Sequence, residues 1–379
     1  MNALRIALFR TSIALASLAV AFAVALGWLF GTTPDLRRLV KPGLVYVTRD
    51  FHEDRDQGPR FIDARSGRVE TLATPAGEAL GAVSLAPWRD DAGRTHAVGH
   101  WMRYRGQDAE QTLEATGLAR FRFPDGEPLE RVTTFIVPTG PPCWLPGTAA
   151  RVVFASGDGR LYRFAFEGSS DPGADLFGCD QAPKPLLWRA EGPDPKELHF
   201  IDLSRPTDGP LAASGLILAA LRVNEDGKLT SSARLWWLRL DSTGSEVLGW
   251  GPLMREEVIG SEIDLRFPTL VAGADGRARL AYLDRRPDQK SWRLRLAEIE
   301  VDKDAGIPKP LDDPGELLAE GCAPSSPAFS ADGNWLCCVR RPNSSGPVVA
   351  RFALGSPEPG PGELASADAI IKRTNGQPR

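Results

Sequence analysis

The feature that most narrows what this chain can fold into is a repeat built from strand-sized pieces. The stretch "SSPAFSADGNWLCCVRR" (325–341) reads as a Pro, a short apolar step, an Asp-Gly turn and an apolar strand closed by arginines. "IDLRFPTLVAGADGRARLAYLDRR" (263–286) has the same order, with its Pro at Pro268 and its turn at Asp275-Gly276. "IDLSRP" (201–206) matches "IDLRFP" (263–268) at Ile, Asp, Leu and Pro, and "SGLILAALR" follows it. A later strand recurs as well, as "GLARFRF", "GRLYRFAF", "ARLWWLRL", "SWRLRLAEI" and "VVARFAL". Each alternates large apolar residues with Arg or small ones, the period of a strand with one face in a core.

Taking Phe61, Phe121, Phe164, Leu238, Leu294 and Phe352 as equivalent points gives spacings of 60, 43, 74, 56 and 58 residues, hence six units. Within a unit the order is a strand near a Pro, a turn, an apolar strand, the Arg-Phe strand, and a weaker fourth strand such as "RVETLAT" or "SEVLGW". Four antiparallel strands at such a period predict an all-β fold, a six-bladed β-propeller, in which each sheet buries both faces and few edges stay open. A βαβ fold would need amphipathic helices between the strands, and none is visible. The longest spacing contains "EGSSDPGADLFGCDQAPK" (167–184), which reads as a loop insertion. Composition agrees: Gly and Pro number 38 and 32, and Phe and Trp 16 and 10, which suits many short strands joined by tight turns.

"PAFSADGNWLCCV" resembles the WD40-like repeat of TolB-like and dipeptidyl-peptidase-type six-bladed propellers. Pro327, Phe329, Ser330, Asp332, Gly333 and Trp335 carry the likeness, and Pro268 carries it in part with the Asp275-Gly276 turn. The resemblance is concentrated in residues 263–341 and implies a fold rather than an activity. The Asp has a structural reading beside it: its side chain caps the turn, and the Gly supplies a positive φ.

The N-terminus departs from the strand grammar. From Thr11 to Pro34 there is no charged residue, and Arg5 and Arg10 precede the run. Small-residue sites at 21–23 or 23–25 would suit signal cleavage followed by secretion. The apolar run continues through Leu26, Trp28, Leu29 and Phe30, however, to the roughly 20 residues that span a bilayer core, which favours an uncleaved single-pass anchor. The expected organisation is a basic segment over 1–10, an anchor over 11–31, a linker over 32–42, the propeller over 43–372 and a tail over 373–379. The propeller is expected on the extracytoplasmic side, although basic residues flank the apolar run at both ends.

The net charge of −4 and the lack of a basic stripe point away from a nucleic-acid partner. No G-x-S-x-G, P-loop, H-E-x-x-H or C-x-x-C occurs, so no catalytic residue, metal or cofactor is expected. His96 and His100 are four apart, but on a strand that is about 13 Å. The innermost strands should be those before each Pro, which places Asp202, Arg205, Asp264 and Arg266 on or near a wet central channel, with Glu262 beside them. They are the candidate ligand-binding residues; the alternative is that they form ion pairs between neighbouring blades. Cys143 and Cys179 are a candidate disulfide, while Cys337 and Cys338 read as buried apolar groups. The expected function is a membrane-anchored, non-catalytic propeller that binds a protein, glycan or envelope component. The alternative is a hydrolase or lyase acting on a small molecule or glycan at carboxylates in the channel.

Overall fold

A computed structural model describes residues 44–47, 60–63, 69–72, 75, 77–89, 92–105, 112–123, 126–145, 151–166, 175–176, 183–191, 194–207, 210–225, 228–273, 277–302, 305–330, 332–340 and 348–354. All of them belong to one compact unit, Pro42–Arg379. The expected anchor over 11–31 lies outside the described residues. Among the described residues no helix is long and apolar enough to cross a membrane.

The described body is nearly all β and consists of successive antiparallel meanders, each starting with an inner strand. The first has three described strands, β1 (Leu44–Val47), β2 (Arg60–Asp63) and β3 (Val69–Thr71). The second has β4 (Glu78–Arg89), β5 (Thr95–Arg105), β6 (Thr112–Phe123) and β7 (Pro128–Thr133). The third has β8 (Cys143–Trp144), β9 (Arg151–Ala155) and β10 (Leu161–Ala165). The insertion then contributes β11 (Asp175–Leu176) and leads into β12 (Lys184–Pro185), which closes the third sheet, and β13 (Leu187–Trp188) follows. The fourth meander has β14 (Leu198–Ser204), β15 (Leu216–Glu225), β17 (Arg234–Leu240) and β18 (Glu246–Pro252), with β16 (Lys228–Leu229) hairpinned onto β15. The fifth has β19 (Asp264–Ala272), β20 (Arg277–Arg285), β21 (Trp292–Glu300) and β22 (Glu316–Cys322); the sixth has β23 (Ala328–Phe329), β24 (Trp335–Arg340) and β25 (Val348–Ala353).

The propeller character shows in where the apolar side chains go. A strand with a single buried face would alternate apolar with polar residues, but β15 is apolar on both faces. Leu216, Leu218 and Ala220 pack into a layer shared with Leu270, Leu280 and Tyr282 of the fifth sheet. Ile217, Ala219 and Leu221 face the other way, into a layer shared with Val153, Ala155 and Leu161 of the third. A comparable layer joins the second and third sheets through Val98, Leu118, Trp144 and Phe154, and another joins the fifth and sixth through Ala281, Leu283, Leu336 and Phe352. Burial on both faces is why these strands read as near-continuous apolar runs rather than alternating ones. Each such Leu contributes about 2 kcal/mol by leaving water.

Five of the six equivalent points fall on the third strand of their meander and are buried: Phe121, Phe164, Leu238, Leu294 and Phe352. Phe61 instead lies on the middle one of the three strands described in the first sheet. The 167–184 insertion is more than a loop. Its β11 pairs in parallel with β7, β12 is the last strand of the third sheet, and β13, just beyond, pairs in parallel with β18. One segment thus covers the outer edges of three successive sheets, which removes unpaired strand edges from the rim.

The FSADG turn has the expected physical basis. Asn334 N–H donates to the Asp332 carboxylate at 3.1 Å, Trp335 N–H donates to Ser330 Oγ at 3.0 Å, and Gly333 sits at φ 68°. The Asp closes the turn and the Gly takes the left-handed conformation.

Candidate functional site at the inner strands

The first strands lie at one end of their sheets, and β14, β19 and β23 pack side by side in succession, as do β4 and β8. Hydroxyls on and beside these strands bridge to the next sheet. Ser84 Oγ donates to the Pro142 carbonyl at 2.6 Å, Thr139 Oγ1 to the Ile201 carbonyl at 3.2 Å, and Ser204 Oγ to the Pro268 carbonyl. Pro268, one of the repeated prolines, therefore sits where it gives up a ladder donor and still supplies an acceptor to its neighbour.

The candidate ligand residues divide. Asp202 on β14 and Arg266 on β19 come together across two sheets: Arg266 Nε and Nη2 both donate to the Asp202 carboxylate, Nη2 at 3.2 Å. The pair is enclosed, with side chains 8% and 18% exposed for Asp202 and Arg266. Burial pulls the Arg266 guanidinium down, and the neighbouring Asp202 carboxylate more than offsets it, leaving Arg266 raised above its ordinary value. Asp264 is also buried. It accepts from the Ala233 N–H at 2.8 Å and from Arg285 Nη2 at 3.4 Å. Glu262 is exposed in the turn before β19, away from this pairing. Arg205 is half-buried just past the end of β14, and its charge acts on the Cys143 thiol.

Asp202 and Asp264, expected on or near a wet channel or else in ion pairs between neighbouring blades, are both buried and each is paired with an arginine, Asp202 with Arg266 of the next sheet and Asp264 with Arg285 of its own. Both strands are irregular nearby. β14 shifts register between Phe200 and Asp202, and β19 shifts between Arg266 and Thr269, where Phe267 adopts φ 54°. Such irregularities re-aim side chains in a way that strict alternation does not anticipate. A left-handed non-glycine residue costs about 1–3 kcal/mol and persists because the surrounding ladders hold it.

A second charged cluster lies outside the candidate residues. Asp284 on β20 is 3% exposed and accepts from Arg293 Nε at 2.8 Å, Arg293 Nη2 at 2.7 Å and Arg295 Nε at 2.7 Å. The arginines of the recurrent third strand are its visible signal in the sequence. Arg120 of β6 behaves likewise, reaching the fully buried Glu130 at 3.6 Å. On β6 and β21 these arginines mark buried ion pairs inside a sheet.

Burial pushes the Cys143 thiol up to about 12, and Cys143 packs between the third and fourth sheets. Its expected partner Cys179 lies outside the described residues. His96 and His100 sit on β5 opposite Arg122 and Leu118. Among the described residues no group of three or more His, Cys, Asp or Glu side chains is placed to hold a metal. A cavity of about 470 Å³ on the fifth sheet is lined by Arg279, Glu298, Asp312, Asp313 and Glu316, none of which belongs to the inner-strand pairs. Three of its acids are engaged, Glu298 with Arg277, Asp312 with Arg255 and Asp313 with the Gly315 N–H.

No family model matches the sequence, and no curated protein matches it. Among solved structures it is similar to TolB from Acinetobacter baumannii, at 15% identity and TM-score 0.45, covering 88% of this chain and 65% of that one. It is also similar to the NanB sialidase from Streptococcus pneumoniae, at 9% identity and TM-score 0.43, covering 78% of this chain and 62% of that one. A third is an endo-arabinase from Bacteroides thetaiotaomicron, at 12% identity and TM-score 0.40, covering 76% and 99%. The chain thus spans less than two thirds of the length of the first two. These likenesses carry no activity, substrate or partner to this chain.

Proposed function

We propose that the chain is a non-catalytic binding or scaffold module: a six-bladed β-propeller of the TolB-like kind, held at the cell membrane by residues 11–31 with its body on the extracytoplasmic side, recognising a protein, glycan or envelope component. The observation that carries this reading is the fate of the inner-strand acids. Asp202 and Asp264 are each bound to an arginine, and Asp264 also to a backbone N–H, so they act as struts between strands and sheets. An acid–base mechanism needs a carboxylate free to exchange a proton with a substrate. Recognition then falls to the loops that join the strands, as on other rigid β scaffolds.

Proximity labelling from the anchored full chain in its native host tests the reading. A discrete envelope partner should be enriched over a control that carries residues 1–42 alone. Equal labelling by both would overturn it. Fusing residues 1–42 to a reporter active only outside the cytoplasm tests the localisation, and a silent reporter would remove the extracytoplasmic placement.

A further inference from the structure

We infer that Cys322 and Cys338 are a dithiol built to close into a disulfide that staples the fifth blade to the sixth. Their sulfurs are 3.9 Å apart, and both residues are buried in the apolar layer shared by the two meanders, beside Leu294, Leu336 and Ala350. The placement follows from register. Cys322 is the last residue of β22 and lies opposite Arg340 of β24, so Cys338 is the diagonal neighbour on the same face. Cys337 points the other way, into a separate cluster with Ala328, Trp335 and Val349, and strand alternation keeps its sulfur off this face.

The position gives the bond a purpose. β22 and β24 belong to different meanders yet share a ladder of one residue pair, reinforced by the Ala323 N–H to Val339 carbonyl bond at 2.9 Å and by Arg340 Nε on the Glu320 carbonyl at 3.0 Å. It is a narrow hydrogen-bonded junction, and a covalent link there would constrain the 15 residues between the cysteines.

The oxidant is a disulfide of the thiol–disulfide exchange class, either a protein oxidoreductase or a small-molecule disulfide. Cys322 thiolate attacks one sulfur of that disulfide and expels the other as a thiolate. Cys338, giving up its proton, then attacks the Cys322 sulfur of the mixed disulfide and expels the second thiolate. The chain loses two electrons and two protons, and the reagent is reduced to two thiols. Both sulfurs are shielded in the folded protein, so the exchange takes place on a chain that has not finished docking the two meanders. Oxidation in the cell rests on the extracytoplasmic placement proposed above.

The test uses the full chain purified with its thiols reduced, then unfolded and refolded in a buffer of oxidised and reduced glutathione. Free thiols are alkylated without reduction, and the chain is cleaved before Asp332, which separates Cys322 from the Cys337-Cys338 pair. The expected product is a linked peptide pair that survives in Cys337→Ser and is absent in Cys338→Ser. The linked protein should also lose about 3–6 °C in melting temperature on reduction, a shift that Cys338→Ser does not show. Alkylation of Cys322 and Cys338 as free thiols in refolded protein, or a link through Cys337, would overturn the inference. Because the refolding arm does not depend on export, a silent reporter fusion would sink the localisation and leave the dithiol pairing to stand or fall by the linked peptide.

Discussion

Truncating Asp202 should expose how much the inner-strand ion pair contributes to holding neighbouring sheets together. The pair is largely out of water, with Asp202 at 8% and Arg266 at 18% side-chain exposure. Removing one member leaves the other charge buried without a partner, which costs about 3–5 kcal/mol. Asp202→Ala is therefore expected to destabilise the protein by about 3 kcal/mol, since the residual exposure of Arg266 lets water reach part of the orphaned charge. For a body of this size that is a fall of about 4 °C in melting temperature. Arg266→Met keeps the stem that lies over the Phe267 ring, where the guanidinium carbon is 5.1 Å from the ring centre, and should cost a similar amount by orphaning Asp202. The double variant, Asp202→Ala with Arg266→Met, no longer buries a lone charge, so its cost should be about that of one single change rather than the sum. Denaturant unfolding of the purified full chain, followed by tryptophan fluorescence, closes the cycle. A coupling of at least about 2 kcal/mol is expected; if the two single costs add to within about 0.5 kcal/mol, the pair is not the inter-sheet strut described above.

Three further outcomes follow from other parts of the fold. Burial holds the His100 imidazole down at about 4, beside Thr116 Oγ1 at 2.7 Å, so the native state stays neutral while the unfolded chain protonates near 6.5. Stability should then fall by about 2 kcal/mol between pH 7 and 5 and flatten below pH 4, and a His100→Gln chain with the same pH profile would refute the assignment. Gly315→Ala should cost at least about 2 kcal/mol by thermal unfolding, because Gly315 has φ 77° and an added Cβ would collide with the Leu296 carbonyl oxygen; an unchanged melting temperature would contradict that geometry. Asp332→Ala removes the cap of the turn before β24 and should cost about 1 kcal/mol, whereas Asp332→Asn, which keeps an acceptor, should cost less; equal losses would show that the cap is not what the Asp supplies.

Much of the architecture was legible because it follows from periodicity. The Pro, the Asp-Gly turn and the alternating Arg-Phe strand are local signals, and five of the six equivalent positions lie on third strands with their side chains in the core. The Asp332-Gly333 turn was legible for the same reason, since its cap and its left-handed glycine are set within a few residues. Asp202, Asp264 and Arg266 lie on first strands, but their partners were not legible. Asp202 and Arg266 are 64 positions apart and meet only because consecutive sheets stack. The irregularity that aims Arg266 depends on a left-handed Phe267, a residue type that gives no warning of such a conformation. The arginines that reach Asp284 were visible in the third-strand pattern, but their shared acid, the strands after β10 that cover three sheet edges, and the meeting of Cys322 with Cys338 were hidden for a related reason. Local sequence determines strands and turns, since those depend on near neighbours. Which charge is neutralised, which edge is covered and which sulfurs meet is decided by the pairing and docking of strands, where contacts between distant residues outweigh local pattern.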